Sequence, residues 1–136
     1  MNKLKLIGIA SLLATGIAHA TTPCDTFKIK IMNTINEDLF VTSIQLHGAK
    51  IQPNGLQKID KNSEEVFTVN GSKEEIDMQG KLVFHTISIP SKKVHVTFDL
   101  KNEGLFCAHK NTSPKGDFEV TDARRPGQVN YSISNK

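Results

Sequence analysis

Apolar and polar residues alternate along most of this chain. Phe27, Ile29 and Ile31 interleave with Lys28, Lys30 and Met32, the period of two that marks a strand with one face buried and the other in water. The pattern returns at Phe40, Thr42, Ile44 and Leu46, after the turn residues Asn36-Glu37-Asp38. Gln52-Pro53-Asn54-Gly55 predicts a β-turn, because Pro presets φ at the second position and Gly closes the fourth. Glu65-Val66-Phe67-Thr68-Val69 predicts a strand running into Asn70-Gly71, a pair that tolerates the positive φ of a tight hairpin. The return strand then falls in the acidic stretch Glu75–Met78, on a sheet edge.

Further strands are expected over Lys81–Ile89, Lys93–Lys101, Leu105–Lys110, Asp117–Thr121 and Gln128–Ser134. Ser113-Pro114-Lys115-Gly116 reads as a turn and Arg125-Pro126-Gly127 as a type II turn. No segment carries a sustained helical stripe with caps. The prediction is an all-β fold, a single antiparallel β-sandwich or partly open barrel of about seven to nine strands.

Composition changes this picture at the amino terminus. Lys3 and Lys5, an apolar run from Leu6 to Ile17 and the Ala18-His19-Ala20 site make the three-part pattern of a secretory signal peptide. The run is shorter than the roughly 20 residues a membrane-spanning helix needs. The expected division is therefore a leader at residues 1–20 and one β-sandwich domain at residues 21–136. The whole chain has 17 Lys and Arg against 14 Asp and Glu. Removing Lys3 and Lys5 leaves the mature chain near neutrality, which weakens any nucleic-acid reading, since that needs clustered surplus basic charge.

Cys24 and Cys107 are the two cysteines. An even count in an exported chain predicts a disulfide, closing a loop long enough to be worth about 4–5 kcal/mol in the chain-entropy model. Acylation of Cys24 is the alternative. Thr21-Thr22-Pro23 before it does not match a lipoprotein signal, and a separate Ala-x-Ala site lies upstream, so the mature protein is expected to be secreted or periplasmic without a lipid anchor.

Candidate chemistry is sparse. Pairing around a Ser91-Lys92 turn would set His85 opposite Phe98, with Ile87 and Ile89 on the same apolar face, and His95 opposite Ser88 on the other. The two imidazoles would then point to opposite sides of the sheet and share no metal ion. Asp99 shares a face with His95 but lies about 13 Å along the strand, beyond hydrogen-bond reach. Glu64-Glu65 and Glu74-Glu75-Asp77 read as a solvated edge rather than a calcium site. No nucleophile elbow, zinc motif or phosphate loop is present. No catalytic residue, metal or cofactor is expected, and His95, Arg124 and Arg125 are the candidate surface contacts. The chain has seven Phe, one Tyr and no Trp, with most Phe at inward positions, which disfavours sugar- or oligonucleotide-stacking surfaces.

The run FKIKIMNTINEDLFVTSIQLHGAKI, followed by EEVFTVNG and GQVNYSI, resembles the strand layout of aegerolysin-type β-sandwich proteins, small secreted lipid-binding or cytolysin-associated domains. This chain lacks their tryptophans and their strong acidity, and no binding residue carries over. Three functions follow from the sequence. The first is a non-catalytic domain, periplasmic or a secreted effector, that binds a protein or envelope partner. The second is binding to a lipid surface through apolar loop residues such as Leu56 or Leu105. The third is a hydrolase, which requires a cleft where a histidine, a carboxylate and a hydroxyl converge.

Overall fold

In the computed structural model, which describes residues 22–73 and 76–136, ten strands form two sheets. They are β1 (Lys28–Asn33), β2 (Leu39–His47), β3 (Lys50–Gln52), β4 (Lys58–Ile59), β5 (Ser63–Asn70), β6 (Met78–His85), β7 (Lys93–Glu103), β8 (Phe106–Asn111), β9 (Phe118–Arg125) and β10 (Gln128–Asn135). The first sheet has the order β3-β5-β1-β10-β9 and the second β4-β2-β6-β7-β8. All pairings are antiparallel except β1 with β10. The result is a β-sandwich and not a closed barrel. It holds more strands than expected because the two-residue β4 and three-residue β3 are too short to show a period. The expected leader lies outside the described residues.

Alternation decides what faces inward. Ile29, Ile31, Phe67, Val69, Val129, Tyr131 and Ile133 of the first sheet meet Leu82, Phe84, Val94, Val96, Phe98 and Leu100 of the second, all buried. Each such side chain contributes about 1.5–3 kcal/mol on leaving water. Gly80 is a constrained point in this layer. It pairs with Leu46 and Phe98, and the Phe98 ring lies so close to its backbone that a Cβ would sit 2.0 Å from Cζ.

Cys24 and Cys107 form the disulfide, with Cα atoms 4.7 Å apart. It ties the lead-in to β1 of the first sheet to the edge strand β8 of the second. Asn102 reinforces the junction, accepting from the Cys24 amide at 2.7 Å and donating to the Lys73 carbonyl.

Two expectations need correction. Asn70-Gly71 does not turn a hairpin: β5 lies between β1 and β3 in the first sheet, while the next strand, β6, belongs to the second. Both flanks of β5 at that end are already bonded, to Phe27 and Thr26 on one side and to β3 on the other. The chain instead crosses between sheets, and the Asp25 carboxylate holds Ser72 at its amide and hydroxyl. Glu64 and Glu65 are paired with β1, and of the expected acidic return strand Met78 opens β6, Ile76 and Asp77 lie outside any strand, and Glu75 falls outside the described residues.

The second correction is the β6–β7 register. His85 pairs with Lys93, Val83 with His95 and Phe84 with Val94. The expected tight turn is replaced by a wide loop closed by Thr86, which is fully buried. Its amide donates to the Lys92 carbonyl, its hydroxyl accepts from the Lys92 amide at 2.9 Å, and its carbonyl accepts from Ser91. An odd shift in register exchanges the faces of a strand. Leu82 and Phe84 therefore point inward, while Ile87 and Ile89, expected in the core, are 73% and 99% exposed.

Candidate functional site

The corrected register carries His85 and His95 to the same, outward face of the second sheet, not to opposite sides. His85 Nδ1 bonds the Thr42 hydroxyl at 2.8 Å, and its ring lies against Phe40. His95 is half-buried one diagonal step away. No three His, Cys, Asp or Glu side chains converge to hold a metal among the described residues.

This outward face is a polar grid. Gln45, Lys81 and Thr97 stand side by side on β2, β6 and β7, and Thr112 joins them through a 2.8 Å hydroxyl–hydroxyl bond to Thr97. The next row is His47, Gln79, Asp99 and Lys110. At the spacing of about 4.8 Å between strands, each row spans roughly 14 Å over its three intervals. A shallow depression of about 700 Å³ lies over these two rows, with Leu46, Gly80 and Phe98 in its floor. Lys93 and Lys101 extend the basic character along β7. Lys58 also lies on this face, above the Phe40 ring, but Asp38 and Asp60 hold its ammonium at 3.3 and 3.2 Å. Lys81, Lys93, Lys101 and Lys110 take part in none of the ion pairs between described residues.

A second depression, of about 690 Å³, lies on the first sheet along Gln52–Leu56 and β5, and no charged residue lines it. Elsewhere on that outer face two pairs of polar groups satisfy one another, Lys30 with Glu64 at 3.5 Å and Gln128 donating to Asn130 at 2.6 Å, while Lys28, Lys50 and Arg125 take part in none of the ion pairs between described residues.

The other polar cluster is internal, where the edge strands β8 and β9 close one side of the sandwich. His109 sits between the Phe27 and Phe98 rings, with its side chain 1% exposed. Its Nε2 shares a hydrogen bond with the Tyr131 hydroxyl, and Nδ1 faces the Asp122 carboxylate at 4.0 Å. Asp122 also accepts from the Asn111 amide at 3.0 Å. Burial pushes His109 below the usual imidazole pKa, against a weaker pull from Asp122. Burial likewise pushes the Tyr131 phenol up. Both shifts favour the neutral forms, and a neutral imidazole carrying its proton on Nδ1, toward Asp122, is the tautomer that lets the Tyr131 hydroxyl donate to Nε2.

A histidine, a carboxylate and a hydroxyl therefore do converge, at a place the sequence reading missed. His109 and Tyr131 meet in packed interior while Asp122 approaches from the exposed edge, its side chain 30% exposed; a buried phenol held protonated is the reverse of an activated nucleophile. The signal for His109 was parity, since it lies two residues beyond the disulfide-bonded Cys107 on a strand and must share its inward face.

Arg124 completes this seam. Its guanidinium donates twice to the Cys107 carbonyl, at 3.3 and 3.2 Å, and its Cζ lies 5.1 Å from the Phe27 ring centroid. It bridges the sheets beside the disulfide. Arg125 projects from the opposite face of β9 and is exposed; Gly127, with φ of +68°, occupies the left-handed third position of the adjoining turn. The sequence candidates thus separate: His95 lies with the polar grid, Arg124 in the seam and Arg125 on the outer face of the first sheet.

Of the two apolar loop residues, Leu56 packs partly against the core. Leu105, at the β7–β8 turn, is 98% exposed and adjoins Phe106 at 61%. No helix among the described residues is long and apolar enough to cross a membrane. No protein-family model matches the chain, and comparison with curated proteins finds no match either.

Proposed function

We propose that this protein is an exported, non-catalytic binding domain that engages a partner of the cell envelope through the outward face of its second sheet. The observation that carries this reading is the set of four lysines, Lys81, Lys93, Lys101 and Lys110, free of ion pairs with other described residues on one rigid face. Asp99 and the rim residue Glu103 stand among them, and the Asp117 carboxylate accepts from the Lys93 amide at 3.0 Å. Such a face favours an anionic partner and gives salt-dependent association. The disulfide supports the exported setting.

Sedimentation of the disulfide-intact mature chain with isolated envelope fractions tests the reading. The wild type is expected to co-sediment at low salt and to be released at high salt. The K81E/K93E/K101E variant is expected to stay in solution. Equal sedimentation of the variant would remove this face as the binding surface.

One observation favours a second reading, the lipid-surface binding that the aegerolysin-like resemblance implies. Leu105 and Phe106 form an exposed apolar tip. Ile87 and Ile89 form another at the opposite end of the eleven-residue β7, some 35 Å away at strand rise, so a planar bilayer would engage one tip and not both. Liposome co-sedimentation that is lost in L105S/F106S would support lipid binding; its absence with neutral and anionic lipids would end it.

A further inference from the structure

We propose that the depression over β2, β6 and β7 is a binding site for an acidic saccharide, a short glycan whose rings carry carboxylate or phosphate groups. The proposal rests on the reading of the second sheet as the binding face, and deepens it by naming the ligand chemistry. Three observations carry it.

The first is the state of the lining. Gln45, His47, Gln79, Lys81 and Asp99 make no side-chain hydrogen bond to another described residue, although they stand within two adjacent cross-strand rows. Some neighbouring polar side chains elsewhere have found one another, as in Lys30–Glu64 or Gln128–Asn130. A floor of backbone beneath a ring of amide, hydroxyl, imidazole, ammonium and carboxylate groups offers both donors and acceptors. Saccharide hydroxyls, which both donate and accept, match that mixture. An apolar ligand would desolvate these groups without replacing their bonds to water.

The second is scale. A depression of about 700 Å³ falls within the roughly 300–1,000 Å³ of small-ligand sites. Its polar groups recur at the strand spacing of about 4.8 Å, close to the width of one sugar ring, so a short glycan lying across the strands meets a new pair of side chains at each ring.

The third is charge. Lys81 stands between Gln45 and Thr97 in one row, and His47 and Lys110 end the other, with Asp99 the one carboxylate in the depression. An ammonium flanked by an amide and a hydroxyl suits an acid group carried on a hydroxylated ring. Asp99 suits a vicinal hydroxyl pair, not a second acid. The half-exposed Phe40 and the exposed Phe106 lie on the same sheet but outside the depression. Recognition therefore depends on charge and hydrogen bonds without stacking, and the affinity is modest.

NMR titration of the ¹⁵N-labelled mature chain tests this with three probes: tetragalacturonate, a phosphorylated oligomannose and neutral maltotetraose. An acidic probe is expected to shift the backbone amides of Gln45, Gln79 and Thr97 and the side-chain amides of both glutamines, while maltotetraose shifts none. A response to one acid and not the other identifies the source as carboxylate or phosphate. Lys81→Glu is expected to weaken binding about tenfold, the loss of one charge-assisted hydrogen bond, and Gln79→Ala to weaken it less; both positions are exposed, and an unchanged spectrum elsewhere reports an intact fold. No shift with either acid, shifts located away from these strands, or binding that survives Lys81→Glu would overturn the proposal. Envelope binding that is lost in K81E/K93E/K101E, combined with no response to either acid, would refute the saccharide and leave the binding face standing.

Discussion

Two polar assemblies in this protein use the same chemistry in opposite ways. The seam between β8 and β9 brings together His109, Tyr131, Asp122, Asn111 and Arg124, and pairs nearly every group with another protein atom. The grid on the second sheet brings together His47, Gln79, Lys81 and Asp99 and leaves their side chains to solvent. The difference is burial. A polar group withdrawn from water has to be satisfied internally or it costs free energy; His109 and Tyr131 are so withdrawn and bond each other, and Asp122 and Arg124 reach the seam from its exposed edge. Groups left in water carry no such obligation and remain free for a ligand.

Breaking the seam should be expensive. Replacing Cys24 and Cys107 with Ala is expected to lower stability by about 4 kcal/mol, at the lower end of what the chain-entropy model gives for a loop of this length, read as a shift in the urea midpoint. Tyr131→Phe leaves Nε2 of His109 buried without its donor. A loss of about 1–3 kcal/mol is expected, with no loss of envelope binding. A variant as stable as the wild type would show that the hydrogen bond does not hold the seam together.

Acid sharpens the same contrast. Because burial lowers the pKa of His109 in the native state, the unfolded chain takes up a proton near the ordinary value of about 6.5 before the native chain does. The contribution is intact above that value and is lost as pH falls through the folded-state pKa. Urea midpoints measured from pH 7 downward should therefore decline below about 6.5, with His109→Gln showing a flatter profile over that window. Grid substitutions are expected to do least: Gln79→Ala and Lys81→Glu should change stability by within about 0.5 kcal/mol while impairing binding.

The sandwich was legible because alternation over β1, β7 and β10 is long enough to fix which residues face inward. Val94, Val96, Phe98 and Leu100 are buried as their spacing requires. The disulfide was legible from the even cysteine count together with the expected export. The grid was not, because its position depends on the β6–β7 register, and that is set by Thr86 closing a wide loop through its own hydroxyl and backbone. Local pattern favoured Ile87 and Ile89 as core, and nothing short of the loop geometry reverses that. Asn70-Gly71 misled for a related reason: turn chemistry describes two residues, whereas the partners of β5 lie in β1 and β3, distant in sequence. His109 was within reach through its parity with Cys107, and Arg124 was not, since its carbonyl partner lies on the other sheet.

The central claim is that the second sheet, and not the first, presents the binding face. Lysine acetylation footprinting by mass spectrometry, with and without envelope fractions, compares the two directly. The account predicts that Lys81, Lys93 and Lys110 become shielded while Lys28 and Lys50, on the outer face of the first sheet, keep their reactivity. Shielding of Lys28 and Lys50 with Lys81 and Lys93 unchanged would contradict it.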